Sequence, residues 1–176
     1  MTDPDLVVRA TPLTGLALAG SRLTRLQITD SSLTDCNLAN VDARRAHLSR
    51  TTIDACRMTG LSLQEARLSD VTIRGCRVDL ASFGSCDLTR VTFDDCRLTD
   101  TTFLDAKLDG VCFVGCDLTH ADFRDARMRN CEFCGSVLTD IEGVAHLRGS
   151  AIDWPTIIDL AGVWAAELGI DVLEPG

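Results

Sequence analysis

The chain has 176 residues, 24% of them charged and 5% aromatic, with a formal net charge of −9 at pH 7. That length suits one domain, and the negative balance disfavours direct binding to nucleic acid. No stretch approaches 18 uninterrupted apolar residues and the start MTDPDLVVRA is not basic and then apolar, so neither a membrane span nor a signal peptide is expected and the cytoplasm is the default compartment.

The segment DLVVRATPL, residues 5–13, predicts an opening strand with Pro12 at its edge. From Thr11 a period of five takes over. A helix repeats its faces every 3.6 residues and a strand every two, so the period belongs to a larger unit. Read in quintets, the third position runs from Leu13 to Leu138 through 26 quintets, and only Ala43 is not Leu, Ile, Val, Met or Phe. The first position is Ala, Cys, Ser, Thr or Val in 23 quintets and Leu in the other three, and neither position carries a charge. Two positions therefore face a core and three face water.

Sorting the quintets into four columns, as if residues 20 apart stack, makes each column chemically coherent. Cys36, Cys56, Cys76, Cys96 and Cys116 share one column, Ala46, Ala66, Cys86, Ala106 and Ala126 another, and all six phenylalanines from Phe83 to Phe133 fall in two opposite ones. Like residues stacking in a close-packed interior is what a solenoid demands, because each coil buries its core only against its neighbours. Seven of the nine cysteines occupy the small inward position and are expected as reduced core residues.

Quintets such as CDLTR, ARLSD, ADFRD and AKLDG resemble the pentapeptide-repeat family, whose usual form is Ala-(Asp/Asn)-Leu-X-X. The resemblance implies an all-β solenoid, a right-handed quadrilateral parallel β-helix of pentapeptide repeats with four quintets per coil, here over residues 1–152. With about 4.8 Å between stacked strands, six and a half coils make a rod of roughly 31 Å. Arg57, Arg77 and Arg97 stand in the second position, where the family often has Asp or Asn.

Register is lost after Leu138, where Gly143 falls in a position due a large residue, and resumes one residue early with Leu147 and Ile152. A seventh coil with a one-residue deletion is expected. Residues 153–176 then form a C-terminal capping helix and tail, with Asp153 as N-cap, Pro155 in the first turn and Gly169 after the last. Ile157, Ala161, Trp164 and Leu168 make its expected seated stripe, widened by Ile158 and Leu160. With Trp154 these residues exceed what one small cap needs. Capping alone and capping plus a two-fold homodimer are both open.

The Cys112, Cys116, Cys131 and Cys134 spacing suggests zinc, but the register points two of the sulfurs inward and two outward, so no metal and no other cofactor is expected. His47, His120 and His146 have no partner at a catalytic spacing, and phosphate-loop, nucleophile-elbow and dinucleotide motifs are absent, so no enzymatic activity is expected. Charge is the one feature above background. Residues 1–90 hold 11 Lys plus Arg against 10 Asp plus Glu, a net of +1, while residues 91–176 hold 6 against 16, a net of −10. Asp94, Asp95, Asp100, Asp105 and Asp109 fall within one coil, and Asp122 and Asp125 continue the series. Carboxylates spaced along a rod imitate duplex DNA to a basic groove, which gains most of its affinity from phosphate charge. Resemblance to the gyrase-binding, fluoroquinolone-resistance branch of the family implies a DNA mimic with DNA gyrase as partner. A structural scaffold that binds other proteins without mimicry is the alternative.

Overall fold

The structure, a computed structural model, describes residues 6–173; the ends of the two expected regions, 1–5 and 174–176, lie outside the described residues, as does Asp5 of the opening strand. The chain winds as a right-handed quadrilateral parallel β-helix of about seven coils, followed by one α-helix, Trp154–Glu167. Up to the last coil each residue pairs with the one 20 positions on. Val7 lies beside Gln27, Leu48 beside Leu68 and Phe93 beside Phe113, and isolated bridges such as Arg57 to Arg77 and Thr102 to Asp122 continue the pattern where no strand is formed. One coil defines the four faces: residues 91–95 lie on the first, 96–100 on the second, 101–105 on the third and 106–110 on the fourth.

The corners are the reason for the period. The fifth residue of every quintet from Ala10 to Asp140 has positive φ, between 46° and 73°. Glycine, asparagine and aspartate tolerate that conformation best, and other residues pay about 1–2 kcal/mol for it. After the second and third faces the corner is also closed by a hydrogen bond from an inward first position to the preceding third position, as from Thr101 N to Leu98 O (3.3 Å) and Ala106 N to Phe103 O (3.0 Å).

With every corner fixed, the first and third positions project into the bore. The column cysteines, Cys36 to Cys116, are all buried, and their thiols donate to carbonyls within the coil stack, as Cys96 does to Ile73 O at 3.3 Å. Burial pushes the Cys86 thiol up to about 12. In the C-terminal half two phenylalanine ladders fill the bore. Phe83, Phe103 and Phe123 stack at 5.1 and 5.0 Å on the third face, and Phe93, Phe113 and Phe133 at 5.1 and 4.9 Å on the first. The two ladders meet edge to face at 5.7–6.2 Å, the geometry aromatic rings prefer.

The last coil closes one residue short. Strand Cys131–Cys134 pairs with Ser150–Ile152 so that Cys131 meets Ser150 and Phe133 meets Ile152, an offset of 19. Gly143, with φ of 77°, opens the short 3₁₀ turn Val144–Leu147 that replaces the missing quintet geometry, and Val144 and Leu147 bury themselves in place of the absent large residue. The C-terminal helix is capped by Asp153, which accepts from Thr156 N at 3.2 Å. It ends with Gly169 N donating to Ala166 O and Ile170 N to Ala165 O, which satisfies its last carbonyls.

Two substitutions test the corner argument. A Cβ at Gly143 would lie 2.5 Å from the backbone nitrogen of Arg124, so Gly143→Ala is expected to destabilise the protein by roughly 3 kcal/mol, as overpacking and left-handed strain combine. Leu80 holds a positive-φ corner at 59° while 61% exposed. Leu80→Asn is expected to stabilise by about 0.5–1 kcal/mol in chemical denaturation, because Asn tolerates the left-handed region.

Candidate protein-binding faces

The outward positions sort the charges by face in a way that chain order does not show. Asp94 and Asp95 lie on the first face and Asp109 on the fourth, while Asp105, Asp122 and Asp125 lie on the third face with Asp100 at its leading corner. Asp140 and Glu142 continue that face into the seventh coil, Glu142 bridging to Asp122 in register. Over about 14 Å of rod, three coils thick, the third face thus holds six carboxylates. Arg124 is the one arginine among them, held between Asp122 at 2.9 Å and Glu142 at 3.0 Å. His120 stands at the same corner column between Asp100 (3.4 Å) and Asp140 (3.6 Å).

Toward the N-terminus the same face is basic. Arg22, Arg25, Arg44 and Arg45 occupy its first two coils, Asp42 pairing with Arg44 at 2.8 Å and Glu65 with Arg45 at 2.9 Å. Between the poles stand Ser62, Gln64, Ser82, Gly84, Ser85 and Thr102. The third face is therefore bipolar along the rod.

The other faces mix their charges. On the fourth, Arg50 grips Asp30 through two nitrogens (2.6 and 2.9 Å) and Arg90 grips Asp70 likewise (2.6 and 2.8 Å), each across one coil. Lys107 pairs with Asp87 at 3.5 Å and Arg129 with Asp109 at 3.9 Å. On the first, Arg74 pairs with Asp94 at 3.0 Å, and Asp95 is exposed. Positions 20 apart carry opposite signs in each of these pairs, a signal present in the sequence at the coil period.

The helix is seated on a different stripe from the expected one. Thr156 and Leu160 are buried and Ile157, Val163 and Trp164 half-buried, whereas Ala161 is exposed, Leu168 is 74% exposed, Ile158 60% and Trp154 72%. Thr156 explains the rotation: its hydroxyl donates to Ser136 O at 3.1 Å, so a polar residue sits comfortably at the centre of the covered face. The residues left outside form an apolar surface at the C-terminal end. Cys112 is half-buried and Cys134 exposed while Cys116 and Cys131 are buried, and among the described residues no group of three or more His, Cys, Asp or Glu is placed to hold a metal ion. Nor is any helix long and apolar enough to cross a membrane among those residues.

The sequence model of the pentapeptide repeat region matches residues 26–96 and 79–143, more than half of the chain. The chain belongs to the pentapeptide repeat family. This pentapeptide repeat protein is similar to the solved structure of full-length QnrB1, a plasmid-mediated fluoroquinolone resistance protein, with 19% identity over 90% of this chain and 100% of that one and a TM-score of 0.39. It is also similar to Rfr23 from the cyanobacterium Cyanothece 51142, at 14% identity over 82% of this chain and 90% of that one with a TM-score of 0.40. HetL from Nostoc sp. strain PCC 7120, involved in heterocyst differentiation regulation, matches at 17% identity over 83% of this chain and 89% of that one with a TM-score of 0.30. A comparison with curated proteins returns no match. The structural likenesses concern the fold, and the roles attached to those proteins differ.

Paired carboxylates give this pentapeptide repeat protein a definite acid response. Hydrogen bonds from Arg50, Arg44, Arg90 and Arg124 hold Asp30, Asp42, Asp70 and Asp122 below the usual carboxylate range, and Thr156 does the same for Asp153. A depressed folded value contributes stability that is present above the unfolded value, near 4, and is lost as pH falls through the folded one. Tm is therefore expected to be flat from pH 7 to about 5 and to fall below about 4. Calorimetry across that range checks it, and an unchanged Tm at pH 3 contradicts it.

Proposed function

We propose that this chain is a non-enzymatic protein-binding rod of the cytoplasm that acts as a DNA mimic, docking the acidic half of its third face on the basic DNA-binding surface of a type II topoisomerase, with DNA gyrase the partner and fluoroquinolone resistance the consequence. One observation carries the reading: six carboxylates against one arginine on a single face of about 14 Å. Duplex DNA carries one charge per ~1.7 Å of axis, about eight over that length, of which one side presents roughly half. The net of five on the third face is of that order. The exposed Trp154, Ile158, Ala161 and Leu168 suit pairing of two chains about a two-fold axis at their C-terminal ends. Such a homodimer brings the two acidic halves together at the centre of a longer rod and leaves the arginine poles at its tips. The rod needs neither a membrane nor bound nucleic acid.

A structural scaffold is the second reading, and the corners favour it. Asp100, Asp105, Asp125 and Asp140 stand where φ is 51–57°, so the backbone alone accounts for an Asp there.

Asparagine separates the two, because it keeps the left-handed corner and removes the charge. Under mimicry the wild-type chain inhibits gyrase supercoiling at low salt, with inhibition fading as salt screens the contact. The triple change Asp100→Asn, Asp105→Asn and Asp125→Asn is expected to weaken inhibition at least tenfold. The control Asp94→Asn, Asp95→Asn and Asp109→Asn, which removes equal charge from other faces, is expected to weaken it less than threefold. Equal losses in both, or no inhibition at any salt, sink the mimicry reading; circular dichroism confirms that both variants fold.

A further inference from the structure

The phenylalanine ladders stop halfway along the bore. On the first face the third position reads Phe133, Phe113, Phe93 and then Ile73, Ile53, Leu33 and Leu13; on the third it reads Phe123, Phe103, Phe83 and then Leu63, Ala43 and Leu23. Ala43 is the one small residue in the third-position series. Where the rings end, an apolar cavity of about 260 Å³ remains, lined by apolar side chains alone from Leu6 to Ile73, with Ala43 in its wall. Protein interiors hold few voids larger than a water molecule, and an apolar cavity of ~150 Å³ already admits benzene.

The cavity lies at the N-terminal end of the rod, which no helix covers among the described residues. Leu6 is 45% exposed, and Val8, Leu13, Leu16, Leu18 and Leu23 are only half-buried. Among the described residues the charges of the first coil and the strand before it are Arg9, Arg22, Arg25 and Asp30, and Asp30 is held by Arg50 at 2.6 Å. Arg22 reaches Asp42 of the next coil only at 3.8 Å with its side chain 77% exposed, and Arg9 and Arg25 have no ion pair among the described residues.

We propose that this bore is a binding site for the alkyl chain of a medium-chain carboxylate, the hydrocarbon lying along the axis past Ala43 and the carboxylate meeting the arginines of the first coil. Burial of methylene groups drives entry, and exposed guanidinium groups select the anionic head over a neutral one. The site is at the opposite end from the helix and does not depend on the acidic face.

Isothermal titration of the full chain with decanoate tests it. Wild-type protein is expected to bind one decanoate saturably below the concentration at which decanoate forms micelles. Ala43→Phe extends the ladder into the cavity; it is expected to weaken decanoate binding at least tenfold while raising the Tm of the unliganded protein, which shows that the variant folds. Arg22→Glu with Arg25→Glu, both at exposed positions, is expected to weaken decanoate several-fold and leave decanol unchanged. Vesicles of phosphatidylglycerol, which offer acyl chains only within a bilayer, are expected not to carry the protein in flotation. Absence of saturable decanoate binding, equal binding by Ala43→Phe, or flotation with vesicles in place of decanoate binding overturns the proposal.

Discussion

The rod depends on a backbone constraint at every fifth residue. A left-handed corner every five positions turns the chain through a quarter of a coil, which puts residues 20 apart in contact and the first and third positions inside. Side-chain identity follows from that geometry. Small residues stack beside large ones, cysteine fills a column as a compact hydrophobe, and phenylalanines stack at about the coil spacing. The fold is local in register although almost every contact is long-range in sequence, as solenoids are.

The same constraint complicates any inference from acidity. Aspartate at a corner answers a steric demand and Asp122, in a second position, accepts the backbone N–H of Arg124 at 2.9 Å, whereas Glu142 in the same register pairs with the Arg124 guanidinium. The acidic half of the third face therefore consists mostly of residues that serve the backbone, with Glu142 the one that surface chemistry alone explains. Its opposite pole of Arg22, Arg25, Arg44 and Arg45 shows the distinction from the other side. Arginine gains nothing from a left-handed corner, yet Arg25 and Arg45 hold two of them.

Most of the fold was legible in the sequence, because inward positions exclude charge and the third is large and apolar in all quintets but one, which prints the period without interruption. The one-residue deletion before Leu147, the Asp153 cap and the two opposed phenylalanine columns could all be read from residue types. The helix face could not, since Thr156 looks polar until Ser136 O is found beside it. The acidic residues were visible singly, but their faces emerge only when outward positions are sorted at the coil period. That sorting places Asp94 and Asp109 apart from Asp105 and joins Asp140 and Glu142 to it. The bore was legible only as an anomaly at Ala43, because a void is a property of summed volumes and not of one residue.

The twenty-residue coil separates two kinds of change in chain length. Inserting one quintet between coils leaves every corner, every inward position and every backbone ladder intact, so the rod still forms. Each residue beyond the insertion, however, is carried a quarter-turn around the axis. Five extra residues at the middle of this chain would move Asp105, Asp122 and Asp125 onto the fourth face and part the acidic pole from its basic counterpart. The architecture counts in fives, but any partner that reads one side of it counts in twenties.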